Sequence, residues 1–478
     1  MQEALSLLAD LSPADVDRLI DLGREVEVHR EDVILREGER PSALFVVLEG
    51  VVEARLDAAG GRVLSTLGAG ELLGEIAWLE DRAASATVRG IEDGVVLEIP
   101  REALEASIGS DAEFSSRLHR ALGRCLSRRL RERSRDLAVA TSDPASGSGA
   151  ERSAWNAIEA IVRQLEEGLV LAEEATRKNG GTPPDEFFEA THAGLDALCG
   201  VLSKELGDGA AIDEDVREEL GSRVRRAMHP YLLLTRIVER IYTKPRGYAG
   251  DFLTIEWMYE NAPGGTGAAG PLIDSAFLER PAARAVRNRR GLLGDQIREA
   301  VEHGGNVTSL ACGPARELFD VFESLEDPGR LKATCLDIDL QALALVSDRR
   351  DAAGLKRHMR LEQGNLVYLA TGRAKIDLEP QSLIYSIGLI DYFQDKFVVA
   401  LLNWAHAHLA PGGKVVLGNF HTDNPDKALM DHVLDWRLIH RSEEDMNRLF
   451  EASSFGAPCD EIRYEEAGVN LFAVGQRR

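Results

Sequence analysis

Residues Val307 to Glu317 read VTSLACGPARE, small side chains where an apolar run hands over to a helix start. Such a turn lets the backbone approach a ligand closely. About 24 residues after Gly313, a second apolar run ends in Asp337, with Asp339 two positions on. A carboxylate at that strand end can accept both hydroxyls of a ribose. A nicotinamide enzyme would want GxGxxG, and only Gly313 is present. Tyr242 to Asp251 reads YTKPRGYAGD, with Arg246, Tyr248 and Asp251 among glycines that permit positive φ. Set in a break between helices, it looks like a ligand-contacting lid; the plainer alternative is a connecting turn. His421, just after a β-rich run, is the best-placed general-base candidate, with Tyr248 and Tyr392 as oxygen-binding groups.

These residues need elements to hold them. The chain has 478 residues, 44% hydrophobic and 28% charged, which suits two to four globular domains. From Asn306 onward, strand candidates at 307–310, 333–336, 359–363, 382–386, 414–417, 461–464 and 471–474 alternate with helical stretches. That alternation predicts a doubly wound, Rossmann-like α/β sheet. Residues 151 to about 303 read as mostly helix. Residues 25–100 read as short β-runs punctuated by Gly38, Gly50, Gly60, Gly61, Gly68 and Gly70, a β-roll or barrel. A helix with Pro13 at its first position precedes the roll, and a helix over about 101–139 follows it. The latter carries an apolar stripe among arginines, either a solvated face or a dimerisation helix. The expected organisation is a β-roll with flanking helices over 1–140, a linker over 141–153, a helical lid or substrate segment over 154–290 and the α/β sheet over 291–478.

Lys plus Arg number 56 against 80 Asp plus Glu, a formal charge of −24. That balance argues against a protein held on nucleic acid, which needs a cationic excess. Five cysteines without CxxC or Cys/His spacing suit reduced thiols in the cytoplasm, with no disulfide framework and no metal site. No signal-like start and no run of about 18 apolar residues is present, so no membrane span is expected.

The ordered glycines with Gly70-Glu71, Gly74-Glu75-Ile76-Ala77-Trp78 and Ala84-Ser85-Ala86-Thr87-Val88 resemble the cyclic nucleotide-binding domain family. The resemblance implies a pocket formed by Gly74, Glu75, Arg82 and Ser85, for a cyclic nucleotide or another effector. Ala84 falls where the family carries its phosphate-binding arginine, so weak or absent binding of cAMP and cGMP is expected.

The 307–317 turn resembles class I S-adenosylmethionine-dependent methyltransferases when read with Asp337, Gly364-Asn365-Leu366, the 382–393 stretch and Pro411-Gly412-Gly413. Ser309, Ala311 and Ala315 depart from the usual acid and glycines. The resemblance implies that Ala311, Gly313 and Ala315 line the methionine and ribose portion. It gives Asp337 the ribose hydroxyls, with Asp339 beside it, and places Asn365 and Leu366 around adenine. Ser386 and Gly388 then pass near the methionine end. The architecture as a whole resembles bacterial enzymes of 3-hydroxypalmitic acid methyl ester biosynthesis, a quorum-sensing factor. It implies an O-methyltransferase acting on a small-molecule acceptor, such as the carboxylate of a 3-hydroxy fatty acid; the cysteine usage adds the cytoplasm, and the arginine-flanked helix a homodimer, as expectations. The competing reading is a non-catalytic sensor or scaffold with a degenerate methyltransferase domain.

Overall fold

The computed structural model describes residues 11, 13–57, 61–124, 126 and 148–478. The chain forms two units: Met1–Ser134 with Lys244–Ala249, and Arg135–Thr243 with Gly250–Arg478. Ser12, Cys125, the linker over 141–147 and the end of the arginine-rich helix, with the dimerisation reading placed on it, lie outside the described residues.

The first unit is a β-roll. Its strands are β1 (Arg24–Val28), β2 (Val33–Leu35), β3 (Ala43–Glu49), β4 (Val52–Leu56), β5 (Arg62–Leu67), β6 (Leu72–Leu73), β7 (Thr87–Gly90) and β8 (Gly94–Pro100). They make two antiparallel four-stranded sheets, ordered β1-β8-β3-β6 and β2-β7-β4-β5. Phe45, Val47, Val52, Leu73, Val88 and Val96 fill the space between their inner faces. The outer face of the first sheet is covered by the helix Pro13–Leu22 and by residues 101–124, through Leu44, Leu104, Phe114 and Leu118. Asp111 breaks the helix that was expected to start at 101 and run on: its carboxylate accepts from the amides of Glu113 and Phe114, capping a second helical stretch. β1, β6 and β7 are short or mixed in polarity.

The second unit carries the α/β sheet. Strands β9 (Asn306–Leu310), β10 (Lys332–Asp337), β11 (Met359–Gln363), β12 (Gln381–Ile387), β13 (Leu409–Phe420), β14 (Glu461–Tyr464) and β15 (Asn470–Gln476) are ordered β11-β10-β9-β12-β13-β15-β14. The first five are parallel, and β15 runs antiparallel to β13 and β14. β9, β10 and β12 are buried along nearly their whole length, as expected of parallel strands with both faces covered. The order reverses between β9 and β12, and at such a point the loops diverge and leave a crevice. Pro411-Gly412-Gly413 lies inside β13 rather than before it, as a register shift opposite Gln381 and Leu383. A Cβ on Gly413 would stand 2.4 Å from the Gln381 carbonyl, so the bulge needs glycine.

Seven helices from Gly149–Lys178 to Pro281–Glu302 precede the sheet. The first starts on a capping box, Ser148 with Glu151. The last runs unbroken across the expected 290/291 boundary, feeding straight into β9.

Candidate active site

The turn after β9 is tightly wound. Ala311, Gly313 and Ala315 all have positive φ, at 53°, 50° and 49°. For the two alanines that conformation costs about 1–2 kcal/mol each. Gly313 is open above: an added Cβ would meet only Phe252, at 4.0 Å. Its amide donates to Oδ2 of Asp337 at 2.9 Å, while the Asp339 amide donates to Oδ1 at 2.9 Å. Burial at the end of β10 outweighs those bonds and pushes the Asp337 carboxyl up to about 6.

The other expected cofactor residues fall into two groups. Asp339 caps the helix Leu340–Ala352 through the Gln341 amide, and Asn365 caps Leu366–Ala370 through the Val367 amide, each at 2.9 Å. Leu366 is buried beside that cap, and the Gly364 amide bonds the Asp337 carbonyl, so the ends of β10 and β11 meet. Ser386 is fully buried and donates to the Leu310 carbonyl at 3.0 Å, tying β12 to β9.

Across the switch point, Gly388 leaves β12 at φ 77° with the Arg289 guanidinium against it. Asp391 is 1% exposed; the Phe420 amide donates to its Oδ1 at 2.7 Å, and its Oδ2 has no partner. Burial raises its carboxyl to about 6. The half-buried Tyr392 hydroxyl accepts from Trp436 Nε1 at 2.9 Å, and burial holds its ionisation well above the ordinary value. Gly250, at φ 73°, packs on that pair: a Cβ would lie 2.6 Å from the Trp436 ring and 3.0 Å from the Tyr392 oxygen.

The expected lid residues are divided between the units. Asp251 is buried, caps the helix Phe252–Glu260 by accepting from Thr254, and pairs with Arg240. Arg246 and Tyr248 belong to the first unit, where Arg246 pairs with Glu92 and Gly247 packs on the Gly68 backbone. His421 is held on both nitrogens, by Glu443 through Nε2 and by the Asp423 amide through Nδ1, each at 3.2 Å.

One feature escaped the sequence reading. Glu256 receives both Arg316 and Arg349, fastening the helix after β9 and the one after β10 to Phe252–Glu260. The sequence offers Arg289 only within a cationic cluster with Arg284, Arg287, Asn288 and Arg290, a group that could orient an acid or be a solvated helix face. Ala282, Ala285, Val286, Leu293, Gln296 and Ile297 are among the buried positions of its helix, and Arg289 falls on their stripe. A charge on an apolar face at helical spacing was the available signal.

In the first unit, Gly74 at φ 82° precedes the short helix Glu75–Leu79, and Glu75 is buried. Ala84 is buried, bonded through its backbone to Gly38 and Glu39. Ser85 is exposed. Arg82 is also exposed, with Glu80 at 3.8 Å.

Comparison with known proteins agrees with both halves. Residues 25–111 match the family described as "Cyclic nucleotide-binding domain", and residues 247–476 the family described as "Putative methyltransferase". An uncharacterized protein of Mycobacterium tuberculosis is 36% identical over 110 residues, 23% of this chain and 20% of that one. The human cGMP-dependent protein kinase 2 is 32% identical over 120 residues, 24% of this chain and 16% of the kinase. The chain thus spans a fifth or less of these two relatives. A solved structure, described as that of a possible exported protein from Bordetella parapertussis, is 19% identical with a TM-score of 0.40, over 70% of this chain and 99% of that one. Among the described residues no helix is long and apolar enough to cross a membrane. The chain joins a cyclic nucleotide-binding domain to a domain of that methyltransferase family.

Proposed function

We propose that the second unit transfers a methyl group from S-adenosylmethionine to an oxygen of a small-molecule acceptor, a carboxylate such as that of a 3-hydroxy fatty acid. The observation that carries this is the Gly313–Asp337 hydrogen bond at the switch point. A carboxylate has about four lone-pair positions. The two amides on Asp337 engage one oxygen each and leave acceptor capacity for a pair of ribose hydroxyls. The open face over Gly313 gives the rest of the nucleoside room. These residues therefore fit the cofactor: Ala311 to Ala315 would line it, Asp337 would hold the ribose, and Leu366 with the Asn365 side-chain amide would border the base.

When bound, S-adenosylmethionine supplies an electrophilic methyl on a sulfonium. An acceptor carboxylate is already ionised at neutral pH, so the protein has to position it and exclude water rather than deprotonate it. Tyr392 and Trp436 form one wall for that purpose, with Gly250 sealed on them. His421, engaged by Glu443, is not required as a base in this scheme. The first unit is then the regulatory partner, taking a cyclic nucleotide or another small effector, and the unpaired thiols suit the reducing cytoplasm.

Calorimetry with S-adenosylmethionine tests the reading. Asp337→Ala removes hydrogen bonds to a charged acceptor, typically about 1.5–3 kcal/mol, so affinity should fall roughly 10- to 100-fold. Equal affinity in a folded variant would show that Asp337 does not hold the ribose.

A further inference from the structure

We propose that Arg289 is the anion anchor of this site and receives a carboxylate at the switch point; this rests on reading the site as the S-adenosylmethionine pocket. Arg289 is 6% exposed, yet among the described residues it forms no ion pair, and its Nε has no hydrogen-bond partner. Burying a charge without a counter-charge is costly, and the cost is recovered when an anion arrives.

The surroundings show where that anion would come. Nη1 lies 3.1 Å from the position a Cβ would occupy on Gly388, so the guanidinium rests on bare backbone at the end of β12. Its charge is felt at Glu317, in the first turn of the helix after β9, and at Asp391 and Tyr392 after β12. Arg289 thus stands between the two diverging loops. Asp391 is the nearby acid, but it makes no ion pair with Arg289, and its Oδ2 is left without a partner. Glu317 is also taken, accepting from Tyr385 at 2.7 Å. Arg289 and Asp391 are thus two buried groups of opposite sign, each with an atom that lacks a hydrogen-bond partner. A guanidinium fork matches a carboxylate in two parallel hydrogen bonds. The carboxylate is either the methionyl end of the cofactor or that of the acceptor.

The test compares wild-type protein with Arg289→Met by calorimetry on three probes. These are S-adenosylmethionine, its decarboxylated analogue, and palmitate in the presence of S-adenosylhomocysteine. If Arg289 holds the methionyl carboxylate, the variant loses at least tenfold in affinity for S-adenosylmethionine and none for the decarboxylated analogue. If it holds the acceptor, S-adenosylmethionine binds both proteins equally and palmitate affinity falls at least tenfold. Either result supports an anion anchor. Equal binding of all three probes overturns it, as does a variant whose only change is a lower melting temperature. Should Arg289→Met fail to fold, Arg289→Lys, which keeps the charge and loses the fork, carries the same comparison with a smaller factor. Wild-type protein that binds neither S-adenosylmethionine nor its analogue sinks the pocket reading and this proposal together; a normal wild type with an unaffected variant sinks this proposal alone.

Discussion

Gly313 and Asp337 are joined by a 2.9 Å hydrogen bond, so the turn after β9 and the end of β10 are held as one piece. Burial, which outweighs that bond, brings the charge of Asp337 into the range of ordinary pH. With its carboxyl raised to about 6, Asp337 is ionised at pH 8 and largely protonated at pH 5. Protonation replaces an acceptor lone pair with a donor. The affinity for S-adenosylmethionine should therefore be flat above pH 7 and weaken as pH falls through about 6. Calorimetry at pH 5, 6, 7 and 8 on wild type and Asp337→Asn checks this; an equally steep profile in the variant would assign the dependence to another group.

Asp391 has the same elevation but no amide on its second oxygen. A carboxyl raised in the folded state binds more protons there than in the unfolded chain. Its contribution favours folding below the unfolded value near 4 and is lost as pH rises through about 6. Asp391→Asn keeps an oxygen for the Phe420 amide and cannot ionise. Between pH 4 and 7 the variant should lose a stability decline of about 1–3 kcal/mol, since each tenfold difference in proton affinity between the folded and unfolded chain is worth about 1.4 kcal/mol. Urea unfolding across that range measures it, and parallel slopes in wild type and variant would refute it.

The sheet was legible because its central strands are buried on both faces and carry short apolar runs between helical stretches, as in Leu383-Ile384-Tyr385 of β12. The roll was legible from its glycine turns, except for short strands such as Leu72–Leu73. The site was only partly legible. Asp337 announces itself by standing at a strand end. Asp339, Asn365 and Asp251 look alike as polar residues in loops, and only the fold reveals that each caps a helix. The partner of Arg246 is 154 positions away in sequence, beyond the reach of any local pattern.

Ala84 should govern nucleotide binding in the first unit. The Arg82 side chain is 78% exposed, and no cation stands at the buried position 84. Wild type should bind cAMP only above roughly 100 µM, and Ala84→Arg should gain at least tenfold, as expected for a charge-assisted contact of about 1.5–3 kcal/mol. Low-micromolar binding by wild type that Arg82→Ala abolishes would reverse the conclusion.

Gly250 offers a packing test. A Cβ there would press on the Trp436 ring at 2.6 Å, at a φ of 73° that side chains rarely adopt. Gly250→Ala should cost about 2–4 kcal/mol in thermal unfolding, from αL strain and overpacking together. A variant as stable as wild type would mean that the Trp436–Tyr392 wall yields easily.

Arg246 separates two roles for the KPRGYAGD segment. If its guanidinium orients an acid acceptor, Arg246→Ala lowers methyl transfer and Glu92→Gln does not. If its role is the ion pair with Glu92, the two substitutions act alike, and the double variant is no worse than either alone. The geometry favours the second outcome, since both side chains are mostly shielded from solvent and face each other within the first unit. The expected coupling is about 0.5–3 kcal/mol, the range for residues in direct contact. A double-mutant cycle read by urea unfolding, run beside turnover assays on the same four proteins, decides between them. Additive unfolding energies with a turnover defect confined to the Arg246 variants would restore the acceptor-binding role.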